Sequence, residues 1–476
     1  MATITSLGIG SGIDINNIVE QLTALERRPL RQMQTDATRL QTQVSAYGKM
    51  QSLFGALQDA SSALNNSTLW NRSVASSGDD TSVGAVGGNG AATGQYAVQV
   101  TQLAQSQTLA STSVFSAASA LTGSGTMSIQ LGNWSADLAT FTETSGSAAS
   151  EISVTSTDTL QSLRDKINAS SSGVTASIVA DASGARLSMR STATGAENGF
   201  RVTTTDTDTP GLSRLAYDPA GGRTGMELKQ SAANALANVN GIDVESASNQ
   251  LTGAIEGLTL NLRKTTASPV NVVVSSDTES VTKNIKTFAE AYNALASFIA
   301  EQTRYDVTSK TGGPLQGDSA ANQLIGRMRQ VLNTPSAASN TFSRLSDVGL
   351  RLQRDGTLLV DTAKLTSATA NLTELKKAFA NIDTQNPGNE GFSRRYAALA
   401  TSVLSVGGSL TTRNEGLRKQ IAKNSEEQTK VNERAERFQQ RLVAQYTVMD
   451  GNVSRLNALG SYVTQQLTAM SRQNNN

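Results

Sequence analysis

Any chemistry in this chain would have to come from carboxylates or lysines, because its 476 residues include no His and no Cys. Their absence removes Ser–His–Asp and Cys–His nucleophiles and any zinc site that needs imidazole or thiolate. It also removes the usual acid–base group near neutral pH. Three acidic pairs are left: Asp79-Asp80, Asp206 with Asp208, and Glu426-Glu427. Such pairs could serve a wall hydrolase by general acid–base catalysis. All three are flanked by loop or helix-surface residues, which points to solvated charge instead. Gly8, Gly10 and Gly12 form G-x-G-x-G, but no strand precedes them. They read as a flexible lead-in and not as a dinucleotide loop. No catalytic, cofactor-binding or metal-binding residue is expected, and no enzyme.

Charge and composition narrow the partners. Lys plus Arg is 40 and Asp plus Glu is 39, a net charge of +1. The basic clusters Arg27-Arg28 and Arg418-Lys419 are short and sit among acids, so no nucleic-acid partner is expected. Met1-Ala2-Thr3-Ile4-Thr5 lacks the basic and apolar regions of a cleaved signal. No apolar run approaches the ~20 residues of a transmembrane segment. The chain therefore reads as cytoplasmic, or as exported without a cleaved signal. Apolar residues reach 38% and aromatics only 4%, which suits buried strips better than one large core. At this length two to four domains are expected.

The elements that organise these residues are helical at both ends. Asp14 is placed to cap a helix carrying Ile15, Ile18, Leu22 and Leu25 on one face, and Pro29 interrupts it or begins the next. Met33, Ala37, Leu40, Val44 and Tyr47 then step by four and three; after a slip, Met50, Phe54 and Leu57 resume. The other end mirrors this through Val431, Ala435, Phe438, Leu442, Gln445, Met449, Asn452, Leu456, Leu459, Val463, Gln466 and Met470. That register extends backwards through Ile421, Leu417 and Leu410. Residues 410–470 as one helix would span ~90 Å. Gln445, Asn452, Gln466, Gly451 and Gly460 weaken the seam, so the ends should fold fully only against partners.

Between the ends, residues 76–94 read as a linker or loop-rich boundary. Period-two strands follow at Tyr96/Val98/Val100, Met127/Ile129/Leu131, Leu258/Leu260/Leu262 and Val270/Val272/Val274. Asn240-Gly241 signals a hairpin. In residues 151–202 a strand precedes a helix capped by Thr157 or Asp158, and a hairpin turns at residues 181–184. Helical period returns with Ile285, Phe288, Tyr292, Leu295 and Ile299. Gly312-Gly313-Pro314 then breaks the chain before a helix with Leu324, Met328 and Val331. Asp355-Gly356 turns a small hairpin, Leu350/Leu352 against Leu358/Val360.

In this order, the segments resemble the flagellar cap family. Gly10-Ser11-Gly12-Ile13-Asp14-Ile15-Asn16 followed by Ile18-Val19-Glu20-Gln21-Leu22 is similar to its amino-terminal motif, with Ile13 where Leu is commoner. Ser45-Ala46-Tyr47-Gly48-Lys49 fits the next helix. Thr159-Leu160-Gln161-Ser162-Leu163-Arg164-Asp165-Lys166-Ile167-Asn168 resembles the insert shared by flagellins and hook proteins. Ala291-Tyr292-Asn293-Ala294-Leu295, Gly313-Pro314-Leu315-Gln316-Gly317-Asp318 and Asp355-Gly356-Thr357-Leu358 resemble the family's other half.

The resemblance implies an α+β multidomain chain, with coiled-coil-like helical ends (a leg) flanking a discontinuous β-rich head. The expected divisions are a helical leg segment at 1–42, stalk at 43–78 and 279–409, and a coiled-coil helix at 410–476. An inner β domain takes 79–110 and 231–278, and an outer β-rich domain takes 111–230 with the insert at 151–202. The implied function is a filament cap, a closed ring with a pentamer favoured, that promotes ordered insertion and folding of exported flagellin and prevents its loss. The implied partners are other copies, flagellin, the distal end of the filament or hook–filament junction, and a cytoplasmic export chaperone at the C-terminal region. The implied place is extracellular, at the flagellar tip, after type III export. Other axial subunits and a tip adhesin are the alternatives. The assembly interface is expected at Ile13, Ile15, Ile18, Leu22, Leu25, Leu40, Val44, Phe438, Leu442, Met449, Leu456, Leu459 and Val463.

Overall fold

Helical periodicity at the ends and strand periodicity between them produce two compact units. The computed structural model describes residue 12 and residues 14–209, 211–308 and 310–473. One unit is drawn from Met1–Asn66 and Thr278–Asn476, the other from Ser67–Asp277. Gly8, Gly10 and Ile13 lie outside the described residues. The principal helices are α1 (Ile15–Glu26), α2 (Arg28–Asn65), α3 (Leu160–Ala169), α4 (Thr278–Thr303), α5 (Ser319–Asn333), α6 (Phe392–Leu404) and α7 (Ser409–Gln473).

In the helical unit, Asp14 caps α1 by accepting from the Asn17 N–H at 3.0 Å. Pro29 falls in the first turn of α2, where its missing N–H has no intrahelical partner to lose, so it starts a helix. The 3–4 stripe of α4 is buried throughout, at Ile285, Phe288, Tyr292, Leu295 and Ile299. It meets α2, which buries Tyr47, Met50, Phe54 and Leu57. Aromatic edges close this core: Phe288 lies 5.3 Å from Tyr396 and Tyr292 lies 5.9 Å from Tyr396, centroid to centroid. The Tyr396 hydroxyl donates to the Met328 carbonyl at 2.8 Å. On α5 the inward residues are Leu324, Met328 and Leu332. Leu332 supplants the expected Val331, which is half-buried. Leu350–Leu352 pairs with Leu358–Val360 as anticipated.

The sheet unit holds two apolar cores. The first lies beneath a five-stranded antiparallel sheet ordered Ser73–Ser77, Val270–Ser276, Gly94–Gln102, Ala235–Val239 and Ile242–Ser246, and a three-stranded one. Alternation sets its inward face: Val98, Val100, Val272 and Val274 are buried. The Asn240-Gly241 hairpin forms with both residues at positive φ, 50° and 88°. The second core packs α3 against strands between residues 108 and 230, burying Met127, Ile129, Leu160, Leu163, Ile167 and Leu187.

Two expectations are corrected. Residues 76–94 are loop-rich, with a turn at 78–82, but they are no linker: strands Ser73–Ser77 and Val83–Gly87 tie the segment into the sheets. Part of its glycine content serves close packing, since a Cβ on Gly87 would fall 2.6 Å from the Ser73 carbonyl oxygen. The cap of α3 is neither Thr157 nor Asp158 but Thr159, in a capping box with Ser162. Asp158 instead receives the Thr155 N–H at 2.7 Å and Lys166 Nζ at 2.6 Å. Burial would raise its pKa, but Lys166, the Thr155 N–H and the Ser162 and Thr155 hydroxyls, which also donate to it, hold the carboxyl well below the usual range.

Candidate assembly interface

The site begins with how α7 lies on the chain's other end. Glu26 of α1 pairs with Arg434 of α7 at 3.3 Å. Further along, Tyr47 of α2 donates to Asp318 Oδ1 at 2.7 Å, and Arg413 of α7 donates to Asp318 Oδ2 at 2.9 Å. Positions 26 and 47 lie 21 residues apart, and so do 413 and 434. The two strands of the bundle therefore run antiparallel and in step, so that residue 15 stands opposite 445 and residue 12 opposite 448.

Asp318 is the polar pin of this arrangement. It caps α5 by accepting from the Ala320 and Ala321 N–H groups at 2.9 and 3.2 Å. Burial would raise its pKa, but the Tyr47 hydroxyl and Arg413 guanidinium outweigh burial and hold the carboxyl below the usual range. Burial, then the Asp318 hydrogen bond, push the Tyr47 hydroxyl well above its ordinary value. Sequence reasoning missed this triad. Its signal was that Tyr47 and Asp318 each sit in a family-like motif; nothing in spacing joins them to Arg413.

Along α7 the seam positions fall into two classes. Leu410, Leu417, Val431 and Ala435 are buried, while Ile421, Phe438, Leu442 and Met449 are half-buried. Gln445 is exposed. From residue 454 to 471 every residue is exposed, including Leu456 (66%), Leu459 (59%) and Val463 (47%). The apolar pattern does not stop there, because Tyr462, Leu467 and Met470 are exposed as well. At about 100° per residue, the side chains from Tyr462 to Val453 span an apolar arc of about 180°, wider than one partner helix covers.

At the other end, Ile15 and Leu40 are fully inside the protomer's own bundle, and Ile18, Leu22 and Val44 are half-buried. Leu25 is 53% exposed. The inward line of α1 is Ile15, Val19 and Thr23, one position off the anticipated Ile18 and Leu22 and two off Leu25. Ile13 lies outside the described residues.

The acidic pairs are engaged in local structure. Asp79 accepts from the Thr81 N–H and hydroxyl, and Asp80 pairs with Arg263 at 2.8 Å. Asp206 receives the Ser213 N–H at 3.0 Å and Asp208 the Ser124 N–H at 2.9 Å. Glu426 pairs with Lys430 at 2.7 Å. Among the described residues, no helix is long and apolar enough to cross a membrane.

Comparison with known proteins agrees with this architecture. Residues 11–107 match the family described as flagellar hook-associated protein 2 N-terminus, and residues 232–458 match its C-terminus. Residues 140–193 match the flagellin hook IN motif. A flagellar hook-associated protein 2 of Salmonella typhimurium is 30% identical over 486 residues, covering 99% of this chain and all of its own length. An A-type flagellar hook-associated protein 2 of Pseudomonas aeruginosa is 29% identical over 496 residues, covering 99% and 98%. Among solved structures, the D1-D2-D3 domains of the flagellar cap protein FliD from Escherichia coli superpose with a TM-score of 0.64 at 27% identity. They cover 78% of this chain and 99% of that one. With both of its ends matched by one family and relatives alike over their whole lengths, the chain belongs to the flagellar hook-associated protein 2 family.

Proposed function

We propose that this protein caps the flagellar filament as a closed ring of identical copies, promotes ordered insertion and folding of exported flagellin, and prevents its loss. The observation that carries this reading is the exposed apolar half of α7, continuous with a seam already buried in the protomer. Each Leu-sized side chain buried there on assembly would contribute about 1.5–3 kcal/mol. Leu25, Leu456, Leu459 and Val463 are the contacts between copies or with the filament end. Ile15 and Leu40 serve the protomer's own bundle. Head-to-tail contacts of this kind close into rings, and a pentamer is favoured by family resemblance.

Export follows the type III route without a cleaved signal, with a cytoplasmic chaperone shielding the apolar half of α7 beforehand. The test is expression in a strain that lacks its own cap protein. Filaments should grow at the cell surface, and flagellin in the medium should fall. Purified protein that polymerises along filaments would favour an ordinary axial subunit instead.

A further inference from the structure

The five-stranded sheet closes one of its edges and leaves the other open. At the closed edge the Ser73 N–H donates to the Gly88 carbonyl at 3.0 Å, and Gly87 packs against the Ser73 backbone. The open edge is strand Ile242–Ser246, whose one neighbour in the sheet is Ala235–Val239. The two-residue Asn240-Gly241 turn makes Val239 and Ile242 a hydrogen-bonded pair. Ile242, Val244 and Ser246 therefore direct their backbone groups to that neighbour. The N–H and C=O groups of Asp243 and Glu245 point outward, with no partner among the described residues.

Side chains alternate along this edge. Ile242, 68% exposed, and the half-buried Val244 lie on the core side, whereas Asp243 and Glu245 lie on the outer side. Both carboxylates meet neutral amides: Asn238 Nδ2 donates to Asp243 at 2.7 Å, and Asn234 Nδ2 donates to Glu245 at 2.6 Å. Depressions of about 350 and 300 Å³ adjoin them, and among the described residues no lysine or arginine lines either. Elsewhere in this unit exposed acids have cations, as Asp80 has Arg263 at 2.8 Å and Glu227 has Lys229 at 2.6 Å.

We propose that this edge takes an extended segment of a different protein as a further strand of the sheet, one in which Lys or Arg alternates with apolar residues. The outward N–H and C=O groups supply main-chain pairing, and alternate side chains supply the choice of partner. Residues directly opposite Asp243 and Glu245 would have Cβ atoms about 4.5–5.5 Å from theirs, so basic side chains there meet both carboxylates. The residues between them would cover Ile242 and Val244 on the core side. A second copy offering the same edge is disfavoured, because its carboxylates would face these ones. Acids alone would make this a defended edge, but the exposed Ile242 gives a strand of the right charge apolar surface to bury. This site goes beyond the capping role and does not depend on it.

The test uses the full-length protein and fluorescein-labelled peptides in polarisation titrations. Val-Lys-Val-Lys-Val-Thr should bind at least tenfold more tightly than Val-Val-Lys-Lys-Val-Thr, which has the same composition, and than Val-Glu-Val-Glu-Val-Thr. Asp243→Asn with Glu245→Gln should weaken the first peptide at least tenfold and leave the thermal transition of the sheet unit unchanged. The lysine N–H groups of the peptide would face the edge, so methylating those two nitrogens should abolish binding, while methylating the central valine nitrogen should spare it. Equal binding of the two lysine peptides, or equal effects of the two methylations, would reduce the contact to charge and overturn the strand. Unchanged binding by the double variant, or no binding of the alternating peptide, would overturn the site.

Discussion

The two halves of α7 carry the same heptad pattern and meet opposite fates. Leu410, Leu417, Val431 and Ala435 are buried against α1, α2 and their neighbours, whereas Leu456, Leu459, Val463 and Met470 face solvent. Backbone conformation does not separate them, since both halves are continuous helix. What differs is the partner: α2 and α1 run beside the first half in step, with the first residue of α1, Ile15, opposite residue 445. A seam pattern therefore reports that a contact exists, and the topology decides whether that contact is inside the protomer or beyond it.

The sharpest way to break the comparison is to charge each half in turn. Leu456→Asp, Leu459→Asp and Val463→Asp together should abolish assembly at the filament tip, with flagellin released into the medium. The same triple should leave the thermal transitions of both units nearly unchanged, because those side chains are already exposed. Three contacts of about 1.5–3 kcal/mol each would be lost, and charge would enter the seam. Ser454→Asp, Asn457→Asp and Ser461→Asp should be markedly milder in motility; equal defects would sink the seam assignment.

The opposite behaviour is expected in the buried half. Leu417→Ala should destabilise the helical unit by about 2–5 kcal/mol in denaturant unfolding. A fragment limited to residues 67–277 should fold by itself, with its own transition, and should not support filament growth. A molten fragment by near-UV dichroism would contradict the two-unit description.

A smaller effect tests the pin. Asp318→Asn should cost about 1–3 kcal/mol, because a buried carboxylate that serves Tyr47, Arg413 and the cap of α5 loses its charge. The folded carboxyl titrates below its unfolded value, so its contribution is complete above about pH 4 and fades as pH falls through the folded value. The variant's stability should consequently depend less on pH than the parent's in that acid window. A parallel loss in both would remove Asp318 as the cause.

Much of this was legible because it is local. The stripe Ile285–Ile299, the long α7, the Asn240-Gly241 turn and the Asp14 cap each follow from a few neighbouring residues. Gly87 and Gly88 misled because their role is a tertiary close approach, which has no sequence period. The Thr159 cap was displaced by one or two residues because Thr157, Asp158 and Thr159 all offer capping oxygens, and only the box with Ser162 decides. The Tyr47–Asp318–Arg413 triad joins three distant segments and left no periodic trace. At the candidate interface, periodicity found the seam positions, but whether each faced its own bundle, as Ile15 does, or solvent, as Leu25 does, required the partner helices.

The central claim is that the exposed half of α7 makes the assembly and contributes little to the fold. It is tested most directly by comparing the full chain with one ending after Met449 in sedimentation velocity, alongside thermal unfolding of each. The account predicts a closed oligomer for the full chain, a monomer for the shortened one, and unfolding transitions that agree within about 2 °C, as expected for changes under ~0.5 kcal/mol. A shortened chain that forms the same closed oligomer, or one whose helical unit no longer folds, would contradict it.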